Sequence, residues 1–521
     1  MAQSISGTNL ATNAAAISRV PCFELRIAWG RTTWPTDWAT QSSDETARCM
    51  NYGYSRKISI DPSEVGSEKP AELSITLNNQ DQRYSAFNTS SAITASILGS
   101  TTTAGGATVT YPKLQGSPVR LREGYTDATN GDEFVTVFSG YIDDPTADAY
   151  GINGDTLTLK VADRGIKLVD YRRSSFMSTG LRADEWINIV LAWSDLSANL
   201  DRGNFIIPYL WMDNETLWAE CVDAAAADGG WFFIDELGVA TFKAATWWLT
   251  DTDSTTVQAT ITTANVQNVA DSVTWSTLAT GIQFEWTPRV FGGNQDLYRS
   301  KDVIEVPPGN KTVEARYSYP SAYVGFFVNA TPPTIIATTS GGRKLTNVGF
   351  SFGGNSATET TLLFENAGSE TAYIGPFVIN GPAIMGPNTR HVTYTVSGIA
   401  PNPRIVRLSP NTYVQTEAQA DMLKALYGDR LRYPRMTYSI DGFKAMPWLQ
   451  LGDLVRVSMS EKYTSTRDMI IIGISASGGV NQPALQQLTA IDIAGLYEYD
   501  DYHVIGTNDY GNGGNGGRMW L

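Results

Sequence analysis

Short runs of alternating apolar and polar residues dominate this chain, and Gly, Asn, Asp and Pro separate one run from the next. Alternation with a period of two is typical of strands that bury one face, so the sequence predicts a mainly β protein. Six such runs lie between residues 20 and 165: FELRIAWG, SRKISI, AELSITLNN, VRLREGY, EFVTVFSGYID and DTLTLKVAD. Strands at this spacing favour a small antiparallel barrel or sandwich.

The apolar period lengthens between residues 166 and 245, which predicts a small α/β unit. ADEWINIVLAWSDL fits a short amphipathic helix whose apolar positions are Trp186, Ile187, Ile189, Val190 and Trp193. ETLWAECVDAAAADGG fits a second helix, with Asn214 as its N-cap and with Gly229 and Gly230 at its end. WFFIDELGVATFK then predicts a hairpin that turns at Glu236, Leu237 and Gly238.

The strand pattern returns over residues 246–400, where TLLFENAGSETAYIGPFVINGPAI predicts two strands joined by a polar turn within a β-sandwich-like insertion. Residues 401–497 add a helix in TEAQADMLKALYGD, with a capping box from Thr416 to Gln419 and a stop at Gly428. Strands follow in RMTYSI, DLVRVSMS, DMIIIGISAS and QQLTAIDI.

The two ends of the sequence differ from the strand-rich middle. We expect residues 1–19 to form an N-terminal arm. The Gly-rich residues 498–521 have too little apolar content to fold alone, so we expect a C-terminal tail that is flexible or is ordered by a partner.

Charge narrows the class of protein. Only 17% of the residues are charged and 42% are hydrophobic, which fits a protein whose surface is largely covered by neighbours. The 38 basic and 53 acidic residues give a formal net charge of -15. Phosphate contacts require clustered Lys and Arg, so this balance argues against a dedicated nucleic-acid binder and is compatible with an acidic wall that DNA slides past.

The cysteines and the apolar runs indicate neither cross-links nor a membrane. Cys22, Cys49 and Cys221 form no CxxC pair, so the sequence predicts reduced, partly buried thiols rather than a disulfide framework or a zinc site. The start MAQSISGTNLATNAA lacks a basic region and an apolar core, so we expect no signal peptide. No run reaches the roughly 18–20 apolar residues of a membrane span.

Motifs for nucleophilic catalysis are weak. Residues Gly349 to Gly353 spell Gly-Phe-Ser-Phe-Gly, and His391 and His503 follow them. A nucleophile elbow requires a helix after the serine, whereas a Ser/Thr-rich stretch follows here and favours a β-turn. His391 opens the strand pattern HVTYTV, and we expect it to be a structural histidine.

Two pairs of adjacent acids, Asp143 with Asp144 and Asp235 with Glu236, are expected to serve turns and caps. Neighbouring residues on a strand point to opposite faces, so neither pair is the dyad of a glycoside hydrolase. The run TDTDST at 250–255 lacks the central Gly and terminal Glu of a calcium loop, and no phosphate-binding loop occurs. The sequence therefore predicts no catalytic, cofactor-binding or metal-binding residues.

Aromatic residues are candidates for a sugar-stacking platform, and they equally anchor cores and subunit interfaces. The candidates lie in WGRTTWPTDW and in a later pair: Trp29, Trp34, Trp38, Trp247 and Trp248.

Basic residues on the predicted strands either face solvent or meet an acidic neighbour. They are Arg56, Lys57, Arg120 and Arg122.

Five phrases occur in a fixed order over residues 20–495: AELSITLNNQDQRYSAFN, VFSGYIDD followed by VADRGIKL, ADGGWFFIDELGVATF, FENAGSETAYIGPFVINGPAI and ALYGDRLRYPRMTYSIDGFKAMPWLQLGDLVRV. Together they resemble the tail hub, or minor tail, proteins of long-tailed (siphovirus-like) bacteriophages. The family is related to baseplate hubs and to the spike hubs of type VI secretion. The resemblance implies barrels like those of the tail tube, arranged in a trimeric ring.

On this resemblance, residues 20–165 form a first tube-like β-barrel hub domain and residues 401–497 a second hub barrel segment. The α/β domain of 166–245 and the β-rich region of 246–400 lie between them. The resemblance implies a non-enzymatic virion protein without cofactors, assembled in the host cytoplasm and located at the distal end of the tail. Its implied partners are further copies of itself, a tail tube or distal tail protein, the tape-measure protein and tail-tip or fibre proteins. Genomic DNA would pass the lumen without specific binding.

Two alternatives stay open. The first is a β-rich carbohydrate- or receptor-binding protein of the tail tip, and the more distant second is a glycoside hydrolase. The expected lack of a signal peptide weighs against an independently secreted sugar binder. The lack of a convincing acid pair weighs against the hydrolase.

Overall fold

A computed structural model of the chain describes residues 3, 5, 7–16, 18–59, 70–84, 101–104, 107–110, 114–149, 155–273, 281–309, 311–318, 325–326, 335–386, 389–395, 405–432, 436–442, 446–459 and 466–492. The Gly-rich segment 498–521 and His503 lie outside these residues. Strands dominate, so the predicted mainly β class is confirmed.

Thirteen strands form one large sheet. In chain order they are β1 (Pro21–Ile27), β2 (Ser43–Asp44), β3 (Cys49–Lys57), β4 (Glu72–Asn78), β7 (Pro118–Asp127), β8 (Gly131–Ala149), β9 (Thr156–Asp163), β17 (Val257–Thr262), β18 (Asn268–Val273), β32 (Met436–Gly442), β33 (Leu454–Ser458), β34 (Arg467–Gly479) and β35 (Gln482–Asp492). Their order is β18-β32-β35-β34-β3-β4-β9-β8-β7-β1-β2, and β33 joins β17 to β34.

The strands expected in two separate barrels therefore belong to one sheet. Antiparallel pairing of β3 with β34, from Tyr52 opposite Gly478 to Lys57 opposite Gly473, joins the first part of the chain to the last. Among the described strands no pairing joins β2 to β18, so the strand order is open and no barrel is closed. Alternation specifies which face of a strand is buried, but it leaves open which strand becomes its neighbour.

One face of this sheet carries the main core. In β4, Leu73, Ile75 and Leu77 are buried, while Glu72 and Ser74 between them are exposed. Burying each such side chain stabilises the fold by about 1.5–3 kcal/mol. The same core takes residues from β7, β33, β34 and β35, which is possible because the sheet curls around it.

Eight helices lie in the described residues. They are α1 (Leu10–Ala15), α2 (Trp38–Gln41), α3 (Ile166–Asp170), α4 (Ala183–Leu191), α5 (Leu217–Ala227), α6 (Trp247–Thr250), α7 (Thr252–Thr255) and α8 (Glu417–Arg432). The α1 helix lies within the predicted N-terminal arm and packs on the sheet, with Leu10 and Ala14 in the main core. No described helix is both long and apolar enough to cross a membrane.

The predicted helices are present, with corrections to their ends and faces. Helix α4 buries Trp186, Ile187 and Val190 as expected but leaves Ile189 and Trp193 exposed. The N-cap of α5 is Thr216, whose Oγ1 accepts a hydrogen bond from the Ala219 N–H, so the prediction of Asn214 was wrong. Asn214 instead adopts a left-handed conformation with φ of 56°, which a helix cap does not use.

Helix α8 confirms its predicted start and corrects its predicted end. Thr416 and Gln419 form the capping box through reciprocal side-chain bonds to each other's backbone N–H. The helix continues through Gly428 to Arg432. A glycine inside a helix costs about 1 kcal/mol relative to alanine, which is too little to stop a helix by itself.

The α/β unit has its own core around α4 and α5. Its strands form three small sheets: β10 (Arg172–Arg173) with β14 (Glu215–Thr216), β11 (Ser178–Arg182) with β13 (Ile206–Leu210), and β12 (Ala198–Leu200) with β16 (Ala240–Lys243) and β15 (Trp231–Ile234). The core extends to α8 and to a three-stranded sheet of β30 (Arg390–Thr395), β19 (Gly281–Trp286) and β31 (Ile405–Arg407).

The remaining strands surround a further core that contains Leu362, Phe364 and Ile374. They form three sheets. The first contains β20 (Val290–Arg299), β29 (Val378–Met385) and β23 (Gly325–Phe326), and the second contains β21 (Ile304–Val306), β28 (Ala372–Ile374), β24 (Ala337–Thr338) and β25 (Lys344–Leu345). The third contains β22 (Lys311–Ser318), β27 (Glu359–Asn366) and β26 (Val348–Asn355). A separate hairpin joins β5 (Thr101–Ala104) to β6 (Ala107–Thr110).

Two predictions for this region need correction. The phrase predicted to form two strands contains three, β27, β28 and β29, and each belongs to a different sheet. The Gly349 to Gly353 motif lies inside strand β26, with a bulge after Phe352, so it is neither a nucleophile elbow nor the expected β-turn.

Candidate functional site

Stretches far apart in the sequence meet where the β15–β16 hairpin packs on the large sheet. We call this place the hairpin junction and define it by Arg56, Ser139, Arg164, Glu236, Gly238 and Gln450. The predicted hairpin turn is confirmed: Asp235 N–H donates to the Val239 carbonyl, and the Asp235 carboxylate accepts from the N–H groups of Leu237 and Val239.

Glu236 points from this turn into the protein and forms a buried ion pair with Arg56 of β3. Arg56 Nη1 lies 3.0 Å from Glu236 Oε2, and Arg56 Nη2 donates to the Ile234 carbonyl at 3.0 Å. The side chain of Gln450 donates to the other oxygen of Glu236. Both charged side chains are almost fully buried, so each depends on the other to offset the loss of water.

Gly238 allows the close approach of the turn to the sheet. Its φ is +80°, a conformation that disfavours other residues. A Cβ at this position would lie 2.4 Å from Arg164 Cδ and 3.3 Å from Ser139 Cβ. The hairpin tip can therefore approach β8 and the end of β9 this closely because residue 238 is a glycine.

Two buried carboxyls frame the junction. Asp163 accepts hydrogen bonds from the N–H groups of Ala71 and Gly165 at 2.6 and 2.8 Å, yet burial raises its pKa to about 7. Burial likewise raises the pKa of Asp453, which accepts from the Gln450 N–H. Each carboxyl fixes a loop rather than facing an open cleft.

A tryptophan contact extends the junction onto the outer face of β34. Trp231 and Trp247 pack with their ring centroids 6.2 Å apart, next to Ile470 and Ile472. A Cβ on Gly452, whose φ is +91°, would lie 2.0 Å from the Trp247 ring. The α/β unit and the large sheet thus share an apolar seam beside the buried ion pair.

The predicted tryptophan cluster is packed within the chain. Trp29 donates from Nε1 to Glu45 at 3.0 Å. The Trp34 and Trp38 rings contact each other, and guanidinium groups cover them: Arg164 lies 4.6 Å from the Trp34 ring and Arg120 lies 4.8 Å from the Trp38 ring. These rings are used in intramolecular contacts and do not form an open stacking face. The side chain of Trp248 lies outside the described residues.

The basic residues singled out on the strands have different surroundings. Arg120 and Arg122 both contact Glu24 on the neighbouring strand, and Lys57 is exposed. Burial raises the pKa of Glu24, but the bonds from Arg26 and Arg122 outweigh it and the net shift is downward. With Arg56 paired to Glu236, three of the four residues meet an acidic neighbour inside the chain.

The other acidic candidates do not assemble into a site. Asp143 lies in strand β8 and not in the turn that was expected, and the Asp144 side chain lies outside the described residues. The 250–255 run spans two short helices, where Asp251 caps α7 and pairs with Lys243. Within the described ranges, no group of three or more His, Cys, Asp or Glu side chains is placed to hold a metal ion.

The remaining chemical candidates are one histidine and three cysteines. His391 lies in β30 as predicted, exposed, with Nδ1 3.4 Å from Glu285 on the paired strand. Cys22, Cys49 and Cys221 are free thiols, and burial raises the pKa of Cys22 and Cys49 to about 12. A thiol with so high a pKa is a poor nucleophile.

Sequence reasoning placed Glu236 and Gly238 in a turn but missed the ion pair. The partners Arg56 and Glu236 are 180 residues apart, and Gln450 is 214 residues from Glu236. The only available signal was a charged residue, Arg56, in an otherwise alternating strand.

No family model matches the chain, and no curated protein matches it significantly. Solved structures similar to it include a tail protein of Neisseria meningitidis, with 11% identity and a TM-score of 0.47, covering 90% of this chain and 96% of that one. A 43 kDa prophage tail protein of Shewanella oneidensis has 12% identity and a TM-score of 0.44, with 91% and 99% covered. A prophage tail protein of Listeria monocytogenes has 8% identity and a TM-score of 0.39, with 90% and 94% covered. Each of these three structures is that of a tail protein.

Proposed function

We propose that this chain is a structural tail hub protein of a tailed phage. In this proposal three copies form a ring at the distal end of the tail tube, which connects the tube to the tail tip and lets DNA pass. Residues 20–165 and 401–497 supply the tube-like strands, and the α/β and sandwich-like regions lie between them in sequence. The protein catalyses no reaction and is assembled into the virion in the host cytoplasm.

One observation carries the proposal. Three of the five phrases that resemble the hub family supply the hairpin junction: VFSGYIDD with VADRGIKL contains Ser139 and Arg164, the hairpin phrase contains Glu236 and Gly238, and the last phrase contains Gln450. These residues fix one part of the molecule on another. A rigid shape is what a ring component requires, whereas an enzyme requires an accessible reactive group.

Charge supports the role assigned to DNA. The net charge of -15 repels phosphate, so DNA can move along such a wall without being held. The packing of Trp29, Trp34 and Trp38 within the chain gives no support to the carbohydrate-binding alternative. The proposed partners are further copies of the chain, the tail tube or distal tail protein, the tape-measure protein and tail-tip or fibre proteins.

The test is a cryo-EM reconstruction of the particle that contains this chain. Three copies around the tube axis at the distal end of the tail are the expected result. Copies that hang laterally from the tail, or a tail without density for the chain, would overturn the proposal and favour a receptor-binding role.

A further inference from the structure

A groove opens at one end of the large sheet, beside the β34–β35 turn. We call it the end groove. Its volume is about 320 Å³, and its lining comes from the start of β1, from β3 and from the turn: Pro21, Cys22, Phe23, Tyr52, Gly479, Val480, Asn481, Gln482 and Ala484. This is the lower end of the range for ligand sites, enough for one large side chain and its neighbours.

The groove has an apolar rim and a fixed aromatic floor. Val480, on the β34–β35 turn, is 38% exposed and forms this rim. The Phe23 and Tyr52 rings lie 5.2 Å apart, and Tyr52 donates a hydrogen bond to buried Glu123. The floor is therefore held in place while the rim is left to solvent.

The backbone beside the groove offers further contacts. Strand β2 pairs with β1 only at Arg26 and Ile27, so none of the described strands pairs with the outer edge of β1 from Pro21 to Glu24. An unpaired strand edge with apolar pockets beside it is the arrangement that accepts an extended peptide.

The sequence of this chain contains a segment that fits. Residues 506–518 read GTNDYGNGGNGGR, and Met519, Trp520 and Leu521 follow. Tyr510 is the one large apolar side chain in the stretch before these three residues, and tryptophan is among the side chains enriched where a few residues carry most of the binding energy. We propose that residues 518–521 bind the end groove, with Trp520 in the cavity and the chain extended along the edge of β1.

The distance is compatible with this placement. The groove lies at the β34–β35 turn, and β35 ends at Asp492, 10 residues beyond its start at Gln482, or roughly 34 Å along the strand. The 27 residues from Asp492 to Met519 span at most about 90–97 Å when extended. The segment can reach the groove of its own chain or of a neighbouring copy, and the proposal does not depend on the hub function.

Site-specific photocrosslinking of the full chain tests the proposal. With Trp520→p-benzoylphenylalanine, irradiation is expected to produce crosslinks to residues 20–23, 50–52 or 479–485, within a chain or between copies, identified by mass spectrometry. Crosslinks only to other regions, or none, would overturn the proposal.

Matched variants sharpen the result. Val480→Asp places a charge on the rim and is expected to lower the yield of these crosslinks at least tenfold. Val290→Asp changes a valine of similar exposure, 49%, on a different sheet and should leave the yield unchanged. Thermal melting of each variant shows that it is folded, and an undiminished yield in Val480→Asp contradicts the assignment.

Discussion

The hairpin junction is a buried cluster of polar side chains, whereas the end groove is an apolar surface open to solvent. The junction buries an arginine, a glutamate and a glutamine behind a glycine turn, and the described chain supplies their partners. The groove leaves Val480 exposed beside an aromatic floor. Polar groups without partners are costly inside a protein, while apolar groups in water are tolerated until a partner arrives. The first region therefore serves the stability of the chain, and the second is available for contact.

The largest expected effect comes from breaking the ion pair of the junction. Glu236→Ala leaves Arg56 buried without its counter-charge, which is expected to lower the free energy of unfolding by about 3–5 kcal/mol. Urea denaturation measures the change. The matched control is Glu370→Ala, which removes the exposed partner of Arg343 and should cost less than about 1 kcal/mol. Equal losses of the free energy of unfolding in the two variants would mean that the buried ion pair stabilises the protein no more than the exposed one.

A pH dependence follows from one buried carboxyl in each region. Burial raises the pKa of Asp163 at the junction and of Glu123 below the groove to about 7. Both bind protons more tightly when folded than when unfolded, with pKa near 4. Their contribution to stability is therefore complete below about pH 4 and is lost as the pH rises through 7. We expect the free energy of unfolding to fall across this window by about 3–4 kcal/mol for each group.

The variant Glu123→Gln separates the contribution of Glu123 to this pH dependence from that of Asp163. Glutamine does not titrate and can still accept the hydrogen bond from Tyr52, so part of the fall between pH 4 and pH 7.5 should disappear. Denaturation curves at several pH values measure it. A profile identical to that of the wild type contradicts the assigned role of Glu123.

A smaller effect is expected from Gly238→Ala. The added Cβ would clash with Arg164 and force a left-handed conformation on alanine, at a cost of about 1–3 kcal/mol. Gly342→Ala is the control, because its φ is +81° and nothing lies within 4 Å of the added Cβ. The difference between their melting temperatures isolates the contact with the sheet, and the absence of a difference argues against that contact.

The smallest effect on stability is expected at the groove. Val480→Asp changes an exposed side chain and should alter the free energy of unfolding by less than about 0.5 kcal/mol. A loss comparable to that of Glu236→Ala, in the same urea assay, would show that Val480 is part of the core and that the groove is not a contact surface.

The sequence predicted those features that depend on neighbouring residues. Alternation placed most strands, and the Thr416 to Gln419 capping box placed the start of α8, because both signals lie within a few residues. The cap of α5 was misplaced because Asn214 and Thr216 are both good N-caps and only the backbone conformation decides between them. The Arg56–Glu236 pair and the merging of two predicted barrels into one sheet depend on contacts between distant residues, which no local pattern records.

The position of β3 between β4 and β34 has a consequence for the order of synthesis. When β3 and β4 leave the ribosome, the strand that will cover the other edge of β3 is still about 400 residues away. That edge stays unpaired during most of translation, and unpaired edges invite aggregation. The large sheet is completed only after residues 482–492 have been made, so β3 remains an edge strand until the last strands of the sheet have emerged.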